Sequence, residues 1–262
     1  MKILVKLGGT LLDAPESRNR LAREIAALRD SGHHVVVVHG GGKQMTRFLT
    51  GKGVDSTFVN GLRVTTLEVL DAVLKVVAGS VNQELVAAFI AAGASAVGLS
   101  GVDALLAEAE LMSPELGFVG RTVKSDSRLL DLLTGNGYLP VVACVAADRA
   151  GQIYNVNADQ MAVACAVGFT ADRLLFLTDV DGVRGEHNET LPTLTPEQSL
   201  ALISSGVAAG GMEAKLNAAI DALERGIHEV SIAPGGLPGV IQKLMSGAAV
   251  GTRLTAVKAV RR

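Results

Sequence analysis

Four consecutive β-branched residues, Val35 to Val38, run into His39 and then into three bare glycines, Gly40, Gly41 and Gly42. Such a run is a strand buried on both faces, as found inside a parallel sheet. After the glycines, Gln44, Met45, Phe48 and Leu49 resume at helical spacing. Missing β-carbons let a ligand come against the backbone, and the first N–H groups of a helix point at negative charge. A plain βα turn rarely needs three glycines in a row. The feature therefore predicts a doubly covered sheet with an anion cradle at its edge.

The rest of the chain keeps the same alternation. Strands are expected at 3–7, 96–99, 119–124, 141–145, 174–177 and 230–233, with a hairpin around Asn60-Gly61 at 58–64. Helices are expected around Leu21, Ile25 and Leu28, and at 66–92, 129–133, 161–167 and 210–225. This pattern predicts an α/β fold with a mostly parallel sheet between helices. No internal repeat or low-complexity linker interrupts it. In the long helix, Leu70, Leu74, Val77, Val81 and Leu85 form one apolar stripe, and Val69, Val73 and Val76 form a second. One stripe suffices to dock on a sheet. The second is expected to pack against a partner subunit, in preference to a covering lobe of the same chain.

Bulk properties narrow the function. Trp is absent, aromatics make up 3% and the net charge is −2, with no basic block. Neither the stacking platforms nor the electrostatic footprint of a nucleic-acid binder is present. Cys144 and Cys165 lie in apolar surroundings and form no Cys-x-x-Cys, so buried free thiols in a reducing cytoplasm are expected. The apolar run at 2–7 is too short for a signal peptide or membrane span. Lys258, Arg261 and Arg262 are read as a solvated tail.

Four segments carry chemistry. Lys6 sits in an apolar strand just before Gly8-Gly9. A lysine there either snorkels out at an edge or meets an anion. Asn155, Asn157 and Asp159 precede a helix. They act as a cap, as ligands along one extended face, or as both. Thr178-Asp179-Val180-Asp181-Gly182-Val183 follows a buried strand, and its acids suit a metal, a ribose or an Asx-turn. Gly210-Gly211-Met212 opens a helix with Lys215 in its first turn, where a cation opposes the helix dipole unless an anion intervenes. No P-loop and no Gly-x-Gly-x-x-Gly is present. His39 is the only histidine near these turns. A cationic, base-poor site suits phosphoryl transfer to a carboxylate, which is already ionised at neutral pH.

In this order, Lys6-Leu-Gly-Gly9, His39-Gly-Gly-Gly42, Asn60-Gly-Leu-Arg63-Val-Thr65, Gly137-Tyr-Leu-Pro140-Val, Asn155-Val-Asn-Ala-Asp159, Thr178-Asp-Val-Asp-Gly182-Val and Gly210-Gly-Met212 with Lys215 resemble the amino-acid kinase family over nearly the whole chain. The Asn155 run and the Asn60 hairpin point to its branch acting on N-acetyl-L-glutamate, with a relative acting on carrier-bound aminoadipate, or a non-catalytic sensor, as alternatives. The resemblance implies an αβα three-layer sandwich, with an N-terminal lobe (1–170) for the acyl-amino acid and a C-terminal lobe (171–262) for ATP. It implies that Lys6 and Lys215 stabilise the migrating phosphoryl group and that Asp159 orients both. Backbone N–H groups of Gly8, Gly9, Gly41 and Gly42 would hold phosphate and carboxylate oxygens. Arg63 would pair with the α-carboxylate, and Asn155 and Asn157 with other polar groups of the substrate. Thr178, Asp179, Val180, Gly182, Val183, Gly210, Gly211 and Met212 would border the nucleotide. Mg²⁺ would ride on the ATP phosphates, with no protein metal site. A homodimer through helix 66–92 is implied, and the lack of residues before Lys2 for an N-terminal helix implies weak arginine regulation. Two departures stand out: Glu213-Ala214 replaces the apolar pair common before Lys215, and 101–106 lacks a second glycine.

Overall fold

The computed structural model describes residues 1–256. The expected tail cations Lys258, Arg261 and Arg262 lie outside them. β1 (Lys2–Leu7) leads to α1 (Pro15–Asp30), and β2 (His34–His39) to α2 (Gly42–Gly51). The hairpin β3 (Phe58–Val59) and β4 (Leu62–Arg63) precedes the long helix, made of α3 (Leu67–Val73), a π-helical segment (Leu74–Val81) and α4 (Asn82–Ala91). Then follow β5 (Ala96–Ser100), β6 (Ala107–Leu111), β7 (Val119–Ser125), α5 (Arg128–Gly135), β8 (Leu139–Ala143), β9 (Val145–Ala147), β10 (Ile153–Val156) and α6 (Ala158–Gly168). The order continues with β11 (Arg173–Thr178), β12 (Thr193–Leu194), α7 (Pro196–Ser204), α8 (Gly211–Glu224), β13 (Glu229–Pro234), α9 (Val240–Met245) and β14 (Thr252–Thr255).

Eight strands form one sheet in the order β12-β14-β13-β11-β1-β2-β8-β5, parallel except where β14 runs against β13. The Val35–Val38 run is fully buried, as its composition demands. β1 lies between β2 and β11, with Leu7 opposite both His39 and Leu177. The sheet therefore grows to one side of β1 through β2 and, later in the chain, to the other side through β11. The carboxyl ends of these three strands open a crevice at a topological switch point, where α/β sheets bind ligands. β6, β7, β9 and β10 close a small barrel.

Several expectations need correction. The single strand at 141–145 is two, because the chain turns at Cys144 from the main sheet (β8) into the barrel (β9). Residues 107–111 and 153–156 are strands that local patterning did not reveal, since they complete the barrel by non-local pairing. α7, α9, β12 and β14 were likewise not anticipated. The second stripe of the long helix does not await a partner. Val69, Val73 and Val76 are buried within this chain, because α2 and β10 cover the helix on that side. By length and composition Leu67–Ala91 could cross a membrane, but both its stripes are packed inside this fold.

Ala104 and Leu105 both adopt left-handed backbone, with φ of 53° and 52°. This is the segment that lacks the second glycine. The αL conformation costs a non-glycine residue about 1–2 kcal/mol, and glycine's extra freedom in the unfolded chain returns about 0.4–1 kcal/mol of that. Ala104→Gly should therefore stabilise the protein by up to ~1 kcal/mol in urea denaturation; an unchanged or lower midpoint would show that the turn is relaxed.

Candidate active site

Lys6 and Lys215, far apart in the chain, meet at one acid. Lys6 Nζ lies 2.6 Å from Asp159 Oδ1, and Lys215 Nζ lies 3.4 Å from Oδ2. Lys6 and Asp159 are each only 6% exposed, so neither charge could persist there unpaired. Three elements deliver these groups. Lys6 rides on the central strand β1. Asp159 stands in the first turn of α6, where its carboxylate also faces the positive helix end. Lys215 reaches back toward the start of α8, where Nζ also donates to Gly211 O at 3.4 Å. Burial pushes the Asp159 carboxyl up, but the Lys6 and Lys215 ammoniums together outweigh it and hold the group below the usual carboxylate range. Lys215 is the fifth residue of α8, but its ammonium lies over the first turn, where Asp159 offsets its opposition to the helix dipole.

The glycines divide by availability. Gly8 N–H donates to Leu177 O at 3.0 Å, continuing the β1–β11 ladder, so it is not the free anion donor expected from the sequence. Gly41 caps α2 and Gly42 begins it, positions whose N–H groups have no partner within a helix. A β-carbon on Gly9 would sit 3.2 Å from Gly42 N, so the two glycine turns touch. A β-carbon on Gly41 would sit 3.1 Å from Val77 Cγ2.

Beside this pair of turns lies a cavity of about 180 Å³, between Gly40–Gly42, Met45, Phe58, Arg63, Val73, Val77, Cys144, Asn155 and Asn157. The Arg63 guanidinium stacks 4.6 Å from the Phe58 ring and donates to Thr46 Oγ1 at 2.8 Å, to Gly42 O at 3.3 Å and to Ser56 Oγ. Asn155 Nδ2 donates to Thr65 Oγ1 at 3.0 Å. Asn157 caps α6, its Oδ1 accepting from the N–H of Asp159 (2.8 Å) and Gln160 (3.2 Å). The three residues do not share an extended face as expected. Asn155 is in β10, Asn157 is the cap and Asp159 is helical, because the chain turns at 157.

A larger cavity of about 690 Å³ separates the hairpin tip at Asn60–Leu62 and β7 from α8, with Gly210 and Glu213 on its far wall. Glu213 faces this cleft, sharing a face of α8 with Asn217 and Asp221 rather than with Lys215. Thr178 ends β11, and its hydroxyl donates to Asp179 Oδ1 at 3.1 Å. Burial raises the Asp179 carboxyl, but its own N–H, the Thr178 and Thr10 hydroxyls and Lys215 outweigh this and lower it. Val180 is exposed, whereas Val183 is fully buried with its N–H bonded to Thr252 Oγ1 at 2.8 Å. Val183 therefore belongs to the core, and Gly182 packs on Thr190 and Thr252. Gly210 and Gly211 are exposed at the start of α8, and Met212 packs against the core.

Cys144 and Cys165 are buried free thiols, pushed by burial up to about 11 and 12, and so inert at neutral pH. Among the described residues no cluster of three or more His, Cys, Asp or Glu could hold a metal ion. Sequence reasoning missed Asn82 and gave Thr65 no role beyond its place in the Asn60 motif; both are buried. Asn82 carried little signal of its own, since Gln83 and Glu84 follow it directly in the same helix.

Two cations held at one acid, beside glycine turns at a sheet's switch point, are equipment for neutralising a polyphosphate, and they set this molecule among the small-molecule kinases. A profile of the amino acid kinase family matches residues 1–234, and the chain belongs to that family. It is 63% identical over 254 residues to an acetylglutamate kinase of Solibacter usitatus, covering 97% of this chain and 99% of that one. It is 46% identical to an acetylglutamate kinase of Acidobacterium capsulatum, covering 94% and 95%. Among solved structures, N-acetylglutamate synthase from Neisseria gonorrhoeae complexed with coenzyme A and N-acetyl-glutamate superposes with a TM-score of 0.86 at 25% identity, covering 97% of this chain and 59% of that one. Isopentenyl phosphate kinase, at 22% identity and a TM-score of 0.65, shares the fold.

Proposed function

We propose that the protein transfers the γ-phosphoryl group of ATP to the γ-carboxylate of N-acetyl-L-glutamate, giving N-acetyl-L-glutamyl 5-phosphate and ADP, in arginine biosynthesis in the cytoplasm. The convergence of Lys6 and Lys215 on Asp159 carries this reading. The two ammoniums neutralise charge on the migrating group, and the shared acid holds them in register. The lining of the 180 Å³ cavity contains no Asp, Glu or His, so nothing there would take a proton from a hydroxyl. A carboxylate acceptor needs no base.

In this reading the acyl-amino acid occupies the 180 Å³ cavity. Arg63 pairs with its α-carboxylate as a planar fork. Asn155 and Asn157 meet its polar groups, and Met45, Val73 and Val77 form an apolar wall for the acyl group. Gly9, Gly41 and Gly42 supply N–H groups. ATP lies along Thr178–Val180 and Gly210–Met212, so that residues 1–170 serve the acceptor and residues from 171 onward the nucleotide. Mg²⁺ would ride on the ATP phosphates and supply charge neutralisation there, while Asp159 is engaged by the two lysines. A homodimer across helix 66–92 belongs to the same reading, and a sedimentation mass of one chain would remove it. ADP release with ATP and Mg²⁺ should appear with N-acetyl-L-glutamate and not with glutamate or aspartate. Faster turnover with N-acetyl-aminoadipate would move the assignment to that acid, and no turnover with any acyl-amino acid would make the protein a binding module.

A further inference from the structure

His39 ends β2 directly before the glycine turn, and it is completely buried. Its Nδ1 lies 2.9 Å from Gly40 O and its Nε2 3.0 Å from Asn82 Nδ2. Asn82, 2% exposed, also points Nδ2 at Val141 O (2.9 Å) and Leu99 O (3.5 Å). Only the amino end of the amide can sit among carbonyl oxygens, so Asn82 donates to Nε2. That leaves the imidazole one arrangement: neutral, with its proton on Nδ1 and donated to Gly40 O. Burial drives the ring's pKa down to about 4, in agreement with this geometry.

The surroundings are built around this pair. A β-carbon on Gly98 would fall 2.2 Å from Asn82 Oδ1, so Gly98 makes room for the amide. Asn82 is the first residue after the π-helical segment, whose Val77 and Val81 close on Gly41 from the same helix. Such π segments recur at functional sites. The same helix thus presses on the turn at Gly41 and, through Asn82 and His39, holds the carbonyl at Gly40.

We propose that His39 and Asn82 are positioning residues for the acceptor carboxylate. By holding the Gly40 carbonyl, they orient the Gly40–Gly41 peptide plane that aims the Gly41 N–H group into the 180 Å³ cavity. His39 neither touches substrate nor exchanges a proton with it. The inference rests on the assignment of that cavity to the acceptor.

Amide isosteres separate the two contacts, because Asn reproduces the Nδ1 donor and Gln reproduces the reach of Nε2. His39→Leu should raise the KM for N-acetyl-L-glutamate at least tenfold while the KM for ATP stays within twofold. His39→Asn should restore most of the loss and His39→Gln should not. A purely structural histidine would lower the melting temperature and spare this split between substrates. Equal changes in both KM values, or rescue by Gln as good as by Asn, would overturn the proposal. If His39→Leu does not fold, the Asn and Gln variants decide. A second readout needs no activity. In ¹⁵N spectra of the wild-type protein, His39 should show the Nδ1–H tautomer without titrating between pH 5 and 8, and Asn82→Asp should abolish that tautomer. An Nε2–H ring in the wild type sinks the proposal, whereas absence of turnover by the wild type sinks only the substrate assignment.

Discussion

Lys6→Met should lower kcat by about a hundred- to a thousand-fold, the loss seen when one preorganised donor to a developing charge is removed. Methionine keeps the length and apolar stem of the side chain, so β1 stays packed among fully buried neighbours such as Val5 and Leu7. The KM for both substrates should change little, because the interaction lost belongs to the transition state. Stability should fall less than for an unpaired buried charge, since Lys215 remains 3.4 Å from Asp159 as a counter-ion. Steady-state kinetics beside a thermal melt checks both parts. A near-normal kcat in a folded variant would remove Lys6 from the chemistry.

Asp159→Asn should be costly to activity and fold together. The neutral amide fits the same space but leaves two ammonium groups converging on a buried point without a counter-charge. Removing one partner from a buried ion pair costs about 3–5 kcal/mol. The pH dependence has a definite sign. The folded-state carboxyl is held below its usual range, so its stabilisation is complete above the unfolded-state value of about 3.9 and is lost as pH falls through the folded value. The gap between wild type and Asp159→Asn should therefore be constant from neutral pH down to about pH 4–5 and narrow below it. The double variant Lys6→Met/Asp159→Asn should lose less than the sum of the single losses, because one of the stranded cations is gone. Urea denaturation at pH 7 and at pH 3 measures all of this. Equal stability of wild type and Asp159→Asn at pH 7 would mean that the triad is not held together in solution.

Local signals were reliable where one physical cause dominated. The valine run of β2, the Asn60-Gly61 turn with φ of 49° and 77°, and the Thr66 cap that accepts from Val69 N–H all formed as their residues dictate. Signals that depend on what lies opposite were misread. Val69, Val73 and Val76 looked surplus on a helical wheel, yet α2 and β10 fold over them. Gly8 looked like a free donor, yet strand pairing with β11 extends far enough to use its N–H. Val183 sits in a turn that reads as ligand-facing, yet Thr252, from a distant strand, draws its backbone into the core.

The chain alone settled which groups are present: a base-poor set of two lysines, one acid and several glycine turns, each set at the end of an apolar strand or the start of a helix. That much follows from short-range physics, from side-chain periodicity and from the steric freedom of glycine. Packing alone decided their meeting. Lys6, Asp159 and Lys215 come from three elements whose approach depends on the parallel ladder of β1 with β2 and β11 and on α6 lying against α8. His39 became a fixed donor only because Asn82, from the long helix, fits the space left by Gly98 on β5. Contacts between residues so distant along the chain leave no periodic trace in it, because they are chosen by the complementarity of whole surfaces.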